Sequence, residues 1–307
     1  MSCGQAILVL GMAAVVLPSC GSAAEPGEPH EGPYLGQKPP GPTRTTFAPG
    51  FVSTRARELN ATFTPDGDEL YFTRRIDERM TLMVSRRVEG VWTPPAVVGF
   101  SGVFADVDPF VSRDGSRLYF SSKRPLEGDG EEKDADLWLV ERHAGGGWGE
   151  PLHLDELATE DKDDYYTSVS DEGVLYFSIF DSDGKGDIYR AREEDGGFGA
   201  AEKVGAPIST EATEHDPFIA PDGSYLIFTS DRAGGRGSGD LWISFAAPDD
   251  SWAEPVNMDA VNSPGYDFCA MLSPDGQYLF FTSSVDLEND VFWVDAWVIE
   301  ELRPPGN

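Results

Sequence analysis

Five acidic residues recur at one place in a repeated pattern: Glu58, Asp106, Asp164, Glu214 and Asp267. Two residues beyond each, the chain carries Asn60, Asp108, Tyr166, Asp216 and Cys269. Carboxylates gathered in one region can hold a cation, move a proton or accept hydrogen bonds that fasten structure. Five of them around one mouth, about 8 Å apart, would repel by ~2 kcal/mol per adjacent pair at an effective dielectric of about 20. They need local donors or a cation. The first position is acidic in every copy, which suits a need shared by every repeat, met by backbone N–H groups or by basic residues such as Arg124 and Arg232. The second position varies, so function is expected there. The candidate binding rim is Asn60, Asp108, Tyr165, Tyr166, His215 and Asp216. His215 is the one histidine at an inner-strand position, and Tyr165 and Tyr166 stand where other copies carry Asp-Pro.

Other chemistries find less support. Asp181, Asp183 and Asp187 lie in the run DSDGKGD, an oxygen-rich turn that suggests Ca2+ but lacks the closing Glu of a complete calcium loop. No other cofactor is expected. There is no CxxC pair, no phosphate loop and no GxSxG elbow, and the four histidines are scattered. Cys269 falls in an apolar strand and reads as a small buried hydrophobe rather than a nucleophile.

The elements that position these residues repeat. The stretch from Glu214 to Phe245 reads as an apolar run, a Pro-Asp-Gly turn, a second strand Tyr225 to Thr229, a glycine-rich loop and a third strand from Leu241. Asp can bond the backbone ahead of it in such a turn, and Gly supplies positive φ. The copies begin at Glu58, Asp106, Asp164, Glu214 and Asp267, with turn glycines Gly67, Gly115, Gly173, Gly223 and Gly276 spaced by 48, 58, 50 and 53 residues. That period suits one four-stranded blade per copy. Strands apolar on both faces suit sheets packed between neighbours. An edge piece follows four of the copies, from Trp92, Trp148, Phe198 and Trp252, and carries proline in all but the Phe198 copy. The fifth copy lacks it, but Phe47-Ala48-Pro49-Gly50 precedes the first. The expected fold is therefore all-β, a single five-bladed β-propeller whose N-terminal strand closes the last blade, with six blades as the alternative.

The SPDG-x-x-LYF-x-SDR, DLW and W-x-EPV pattern resembles the TolB-type, WD-like propeller repeat over residues 45–300. That resemblance implies the fold, and a module that binds rather than catalyses. Asp108-Pro109-Phe110 and Asp216-Pro217-Phe218 are similar to strands of five-bladed arabinanase- and xylosidase-type glycoside hydrolases. This second resemblance implies Asp108 or Asp216 as base and Glu214 as acid. The Glu-Gly-Pro strand of those enzymes is absent.

The ends of the chain speak to location. Ala6 to Leu17 is an apolar run too short for a bilayer, which takes about 20 residues. Residues 1–19 read as a lipoprotein-type signal peptide, with Cys20 of Leu17-Pro18-Ser19-Cys20 as the lipidated residue. Residues 20–44, rich in Pro and Gly, read as a disordered tether, 45–302 as the propeller and 303–307 as a tail. The net charge of −31 disfavours nucleic acid as a partner. The expectation is a non-catalytic module at the bacterial cell envelope, periplasmic or on the outer surface, with a protein or glycan partner and contact with the membrane only through a lipid anchor. Simple secretion is the alternative location.

Overall fold

A Pro-Asp-Gly turn between two apolar runs leaves each run free to pair with the other, and each pair with a third. The computed structural model describes residues 29–128, 130–194, 196–248, 251–285 and 288–304. It forms five antiparallel sheets arranged as a five-bladed propeller. Blade 1 runs outward through Glu58–Phe63, Glu69–Ile76, Arg79–Val88 and Ala96–Val97. Blade 2 uses Asp106–Val111, Arg117–Ser122, Asp136–Glu141 and Leu152–His153. Blade 3 uses Asp163–Val169, Val174–Phe180, Gly186–Glu194 and Glu202–Lys203. Blade 4 uses Glu214–Ile219, Tyr225–Ser230, Asp240–Phe245 and Val256–Asn257.

Blade 5 takes Tyr266–Leu272, Tyr278–Val285 and Glu288–Asp295 from the end of the chain. Its outer strand is Thr45–Thr46, antiparallel to the third strand with Thr45 opposite Trp293 and Thr46 opposite Phe292. The ring is thus closed by both ends of the sequence, which removes the open edges a linear stack would leave. Phe47, fully buried, fixes the seam by packing at 5.3 Å from Trp293 and 5.0 Å from Phe280. In the central strands of blade 4, Tyr225–Ser230 and Asp240–Phe245, every residue is buried, because the sheet has a neighbour on both faces.

The outer strands sit in or just past the recurring edge pieces, at Ala96–Val97, Leu152–His153, Glu202–Lys203 and Val256–Asn257. One expectation is corrected. The tether was expected to reach residue 44, yet residues 29–44 pack on the propeller. Tyr34 sits 5.0 Å from Tyr278 and 5.4 Å from Phe63, Leu35 is buried, and the Trp92 indole donates to the Gly32 carbonyl at 2.7 Å. Two apolar anchors are enough to order a segment whose average composition argues against order. The signal peptide 1–19, Cys20 and the start of the tether lie outside the described residues, as does the end of the tail.

Phe47→Ala should lower stability by about 3–5 kcal/mol, since a fully buried phenylalanine leaves a cavity at the seam. Chemical denaturation followed by fluorescence measures it; an unchanged midpoint would mean that the seam does not hold the ring.

Candidate binding site at the mouth of the ring

The five uniform acids open the inner strands, and all five are fully buried. A buried carboxylate must be bonded or neutralised. Glu58 accepts from the Thr54 backbone N–H at 3.1 Å, the Thr54 hydroxyl at 2.6 Å and Arg74 at 2.8 Å. Asp106 holds Ser101 at 2.7 Å, Ser122 at 2.6 Å and Arg124 at 2.8 Å. Glu214 takes the Thr210 N–H and hydroxyl at 2.8 Å each, and Ser230 and Arg232 at 3.0 Å each. Asp267 accepts from the Ser263 N–H at 2.5 Å and from Arg44 at 3.0 Å. These acids fasten the loop that enters each blade to the blade itself. Glu214, the expected general acid, is spent on that fastening and is sealed from the mouth.

Asp164 is the exception. It accepts from the Thr159 N–H at 3.0 Å, its Oδ1 is buried with no partner among the described residues, and no arginine reaches it. Ile179 stands opposite it, where the other blades place Arg74, Ser122, Ser230 and Ser283 opposite or diagonal to their acids. Burial, reinforced by the charges of Asp136 and Asp134, pushes the Asp164 carboxyl up to about 7.

The variable position two residues on has a backbone reason for its place. Asn60, Asp108, Tyr166, Asp216 and Cys269 all adopt left-handed φ, between 44° and 56°. In each blade the ladder register shifts there, for example between Val107 and Phe110 and between His215 and Phe218. Each inner strand therefore carries a bulge that re-aims one side chain. Pro109 and Pro217 sit inside the bulge, where no ladder N–H is required. Four of the freed backbone N–H groups find a hydroxyl on the second strand of the preceding blade: Asn60 on Thr282 at 3.0 Å, Asp108 on Thr73 at 3.2 Å, Tyr166 on Ser121 at 3.2 Å and Asp216 on Ser178 at 2.9 Å. The fifth, Cys269, donates to the Asp216 carboxylate at 3.3 Å, and Thr229, which stands where its hydroxyl partner would be, is buried without one.

The bulge side chains form a cluster. The Cys269 thiol donates to Asp216 at 3.3 Å and lies 3.7 Å from Asp108. Asn60 donates to the Pro109 carbonyl at 3.3 Å, and the Tyr166 hydroxyl donates to the Ala270 carbonyl. Asp108 and Asp216 are 6% exposed, while Tyr166 is fully buried. Burial first, and the neighbouring Asp216 charge second, hold the Asp108 carboxyl well above the usual range. The same causes raise the Cys269 thiol, which excludes a ready thiolate nucleophile.

Beside this cluster lies an arc of aromatic rings. Tyr165 meets Phe180 at 6.0 Å, Phe180 meets His215 at 5.4 Å, His215 stacks on Tyr266 at 5.8 Å and Tyr266 meets Phe268 at 5.4 Å. His215 lies with Nδ1 3.1 Å from the Asp216 carboxylate and hydrogen-bonds the Tyr266 hydroxyl through Nε2 at 2.5 Å, which sets the arc against the acids. Tyr165, Phe180, Tyr266 and Phe268 are half-buried. Among the expected rim residues, Tyr165 and His215 join the arc, Asp108 and Asp216 lie beside it, and Asn60 and Tyr166 are sealed. Phe180, Tyr266 and Phe268 were not foreseen. Phe268 could have been read from the residue between the two aligned positions, which is Leu59, Val107, Tyr165, His215 and Phe268 in turn. Where the inner strands end, the chemistry differs: Phe63, Phe110, Phe218 and Met271 line an apolar cavity of about 170 Å3.

The expected calcium turn is bound up in ion pairs. Asp181 pairs with Lys162 at 2.6 Å and Asp187 with Lys203 at 2.6 Å, and Asp183 caps the Lys185 N–H at 3.2 Å. Among the described residues no group of three or more His, Cys, Asp or Glu side chains is placed to hold a metal ion.

No protein family and no curated protein matches the sequence. Solved structures share the fold. TolB from Acinetobacter baumannii is 13% identical with a TM-score of 0.50, covering 79% of this chain and 55% of that one, so the chain spans about half of TolB. The Penicillium chrysogenum alpha-L-arabinanase complexed with arabinobiose is 12% identical with a TM-score of 0.47, over 83% of this chain and 98% of that one. The GH43 protein BlXynB from Bacillus licheniformis is 12% identical with a TM-score of 0.48, over 81% and 54%. Resemblance at this level establishes a propeller and leaves activity open.

Asp164 makes stability pH-dependent. Its folded pKa, about 7, lies above the unfolded value, so the folded chain holds the extra proton and stability falls as pH rises from about 4 to about 7. Asp164→Asn removes that loss and should stabilise the protein at pH 8 by up to about 4 kcal/mol, with little change at pH 4. Denaturation at the two pH values measures it; equal effects at both would contradict the assignment.

Proposed function

We propose that this propeller is a non-catalytic binding module of the bacterial cell envelope, and that the aromatic arc at its mouth holds the end of a glycan. The observation that carries this reading is the continuous run of rings in which half-buried Tyr165, Phe180, Tyr266 and Phe268 flank the buried His215, beside hydrogen-bonding acids. Aromatic faces suit the apolar faces of sugar rings, and a few convergent polar groups fix orientation. The acids nearest the arc lie against a thiol and a histidine, and Glu214 is sealed, so the parts of a hydrolytic pair are not free together. The net charge of −31 supports a partner other than nucleic acid.

Location belongs to the same proposal. The apolar run and Leu-Pro-Ser-Cys20 support export with a lipid on Cys20, and the chain before residue 29 would be the tether.

One observation favours a second reading. Asp108, its carboxyl raised by burial and by the Asp216 charge, lies 3.7 Å from the Cys269 thiol that also bonds Asp216, an arrangement similar to the paired carboxyls that act on a glycosidic bond. In that reading Asp108 would act as acid and Asp216 as base, in place of Glu214.

One titration separates the two. Under the binding reading, calorimetry with pentose- and hexose-containing oligosaccharides should show a ligand recovered unchanged, and Tyr165→Ala or Tyr266→Ala should weaken it by about tenfold each. Release of shortened sugars, lost in Asp108→Asn and Asp216→Asn, would establish the hydrolase instead. Failure of every glycan to bind would leave a protein partner at this mouth. For the anchor, Cys20→Ser should move the protein from the membrane to the soluble fraction; continued sedimentation with membranes would contradict lipidation there.

A further inference from the structure

The outer faces of the blade junctions are built from one recurring set of positions, and at one junction the set is incomplete. The ladder registers align Glu69, Arg117 and Val174 as the first residue of the second strand, and Arg142, Glu193 and Ala246, in the following blade, as the third-strand-side residue one step past the partner of that blade's own second-strand start. Between blades 1 and 2, Glu69 and Arg142 form an ion pair. The Arg142 guanidinium lies 4.3 Å over the Trp148 ring, whose indole N–H donates to the Tyr71 hydroxyl at 2.8 Å. Between blades 2 and 3 the signs are exchanged, with Arg117 bonded to Glu193 at 2.8 Å. Between blades 5 and 1, Tyr34 of the N-terminal segment fills the space, and Trp92 donates to Gly32. Between blades 4 and 5 the C-terminal turn Trp297–Glu300 lies beside Tyr225.

Between blades 3 and 4 nothing comparable among the described residues fills the space. The floor is kept, with Tyr176 and Trp252 edge to face at 6.5 Å like Tyr71 and Trp148 at 6.1 Å. The ion pair is lost, since Val174 and Ala246 stand in its place. The result is a groove of about 580 Å3, walled by Glu172, Glu194 and Glu202 with Arg190 and Arg192. Arg190 is held by Glu202 at 3.7 Å and Arg192 by the Glu172 carbonyl at 3.3 Å. The Glu172 and Glu194 side chains have no ion-pair partner, and no cation lies over Trp252, among the described residues.

We infer that this groove is a docking site for an arginine side chain of a partner polypeptide. The guanidinium would lie on the Trp252 ring as Arg142 lies on Trp148, with Glu172 or Glu194 supplying the carboxylate that Glu69 supplies at the first junction. Cation–π attraction and the two unpaired acids act together, and the charge of −31 draws a basic partner towards the surface. A planar guanidinium can stack and bond a carboxylate at once, whereas an ammonium offers only a point charge, so arginine is preferred over lysine. The site is separate from the mouth and does not depend on what binds there.

The test uses the full chain and two blocked tripeptides, acetyl-Gly-Arg-Gly-amide and acetyl-Gly-Lys-Gly-amide, titrated at fixed ionic strength with the Trp252 indole N–H followed by NMR. The arginine peptide should shift that signal at concentrations about fivefold lower than the lysine peptide. The double substitution Val174→Glu with Ala246→Arg rebuilds the pair of the first junction; it should keep or raise the thermal midpoint and abolish the shift. Equal responses to the two peptides would reduce the effect to net charge, and a refilled variant that still binds would place the site elsewhere. Either result overturns the proposal.

Discussion

A carboxylate carried into the interior must be met by donors, and the whole ring depends on that requirement at the start of each inner strand. In four blades the acid gathers the loop arriving from the previous blade together with an arginine: Arg74, Arg124, Arg232 or Arg44. Breaking such a set leaves an uncompensated buried charge, which costs far more than the net worth of the pair. The acids are therefore junction pieces, and their uniformity across the repeats reflects a demand made five times. Arg44 extends the logic to the seam, because the segment that supplies the last strand also supplies the arginine for Asp267.

With the inner strands fastened at their start, their bulges fall at one level of the ring. Left-handed backbone at a non-glycine residue is uncommon, and finding it in all five blades at the same step makes it a property of the architecture. What each bulge displays is free to differ. Tyrosine fills space, asparagine bonds the neighbouring blade, and the two aspartates share a thiol. That division between a fixed scaffold and variable display explains why the mouth can carry binding chemistry without disturbing the fold.

Much of this was legible in the chain. The repeat, the turn glycines and the missing fifth edge piece gave the blades and the closing strand, because period and turn chemistry are local. The local bonding of the acids could be anticipated from Arg124 and Arg232. The bulge was not legible, since Asn and Asp tolerate left-handed φ in many settings and Tyr166 and Cys269 give no hint of it. Tyr266 escaped notice because it precedes the aligned acid, and only the three-dimensional ring brings it onto His215. The ordered segment from residue 29 was hidden by its prolines: Tyr34 and Leu35 matter through the hole they fill between blades 5 and 1, which no composition window records.

The account separates positions that hold the ring from positions that display chemistry, and one paired measurement tests the separation. Glu214→Gln and Tyr266→Ala are compared for thermal midpoint and for glycan affinity per folded molecule. The account predicts that Glu214→Gln lowers the midpoint and leaves affinity unchanged, while Tyr266→Ala weakens affinity and shifts the midpoint less. The opposite pattern, with affinity following Glu214 and stability following Tyr266, would contradict it.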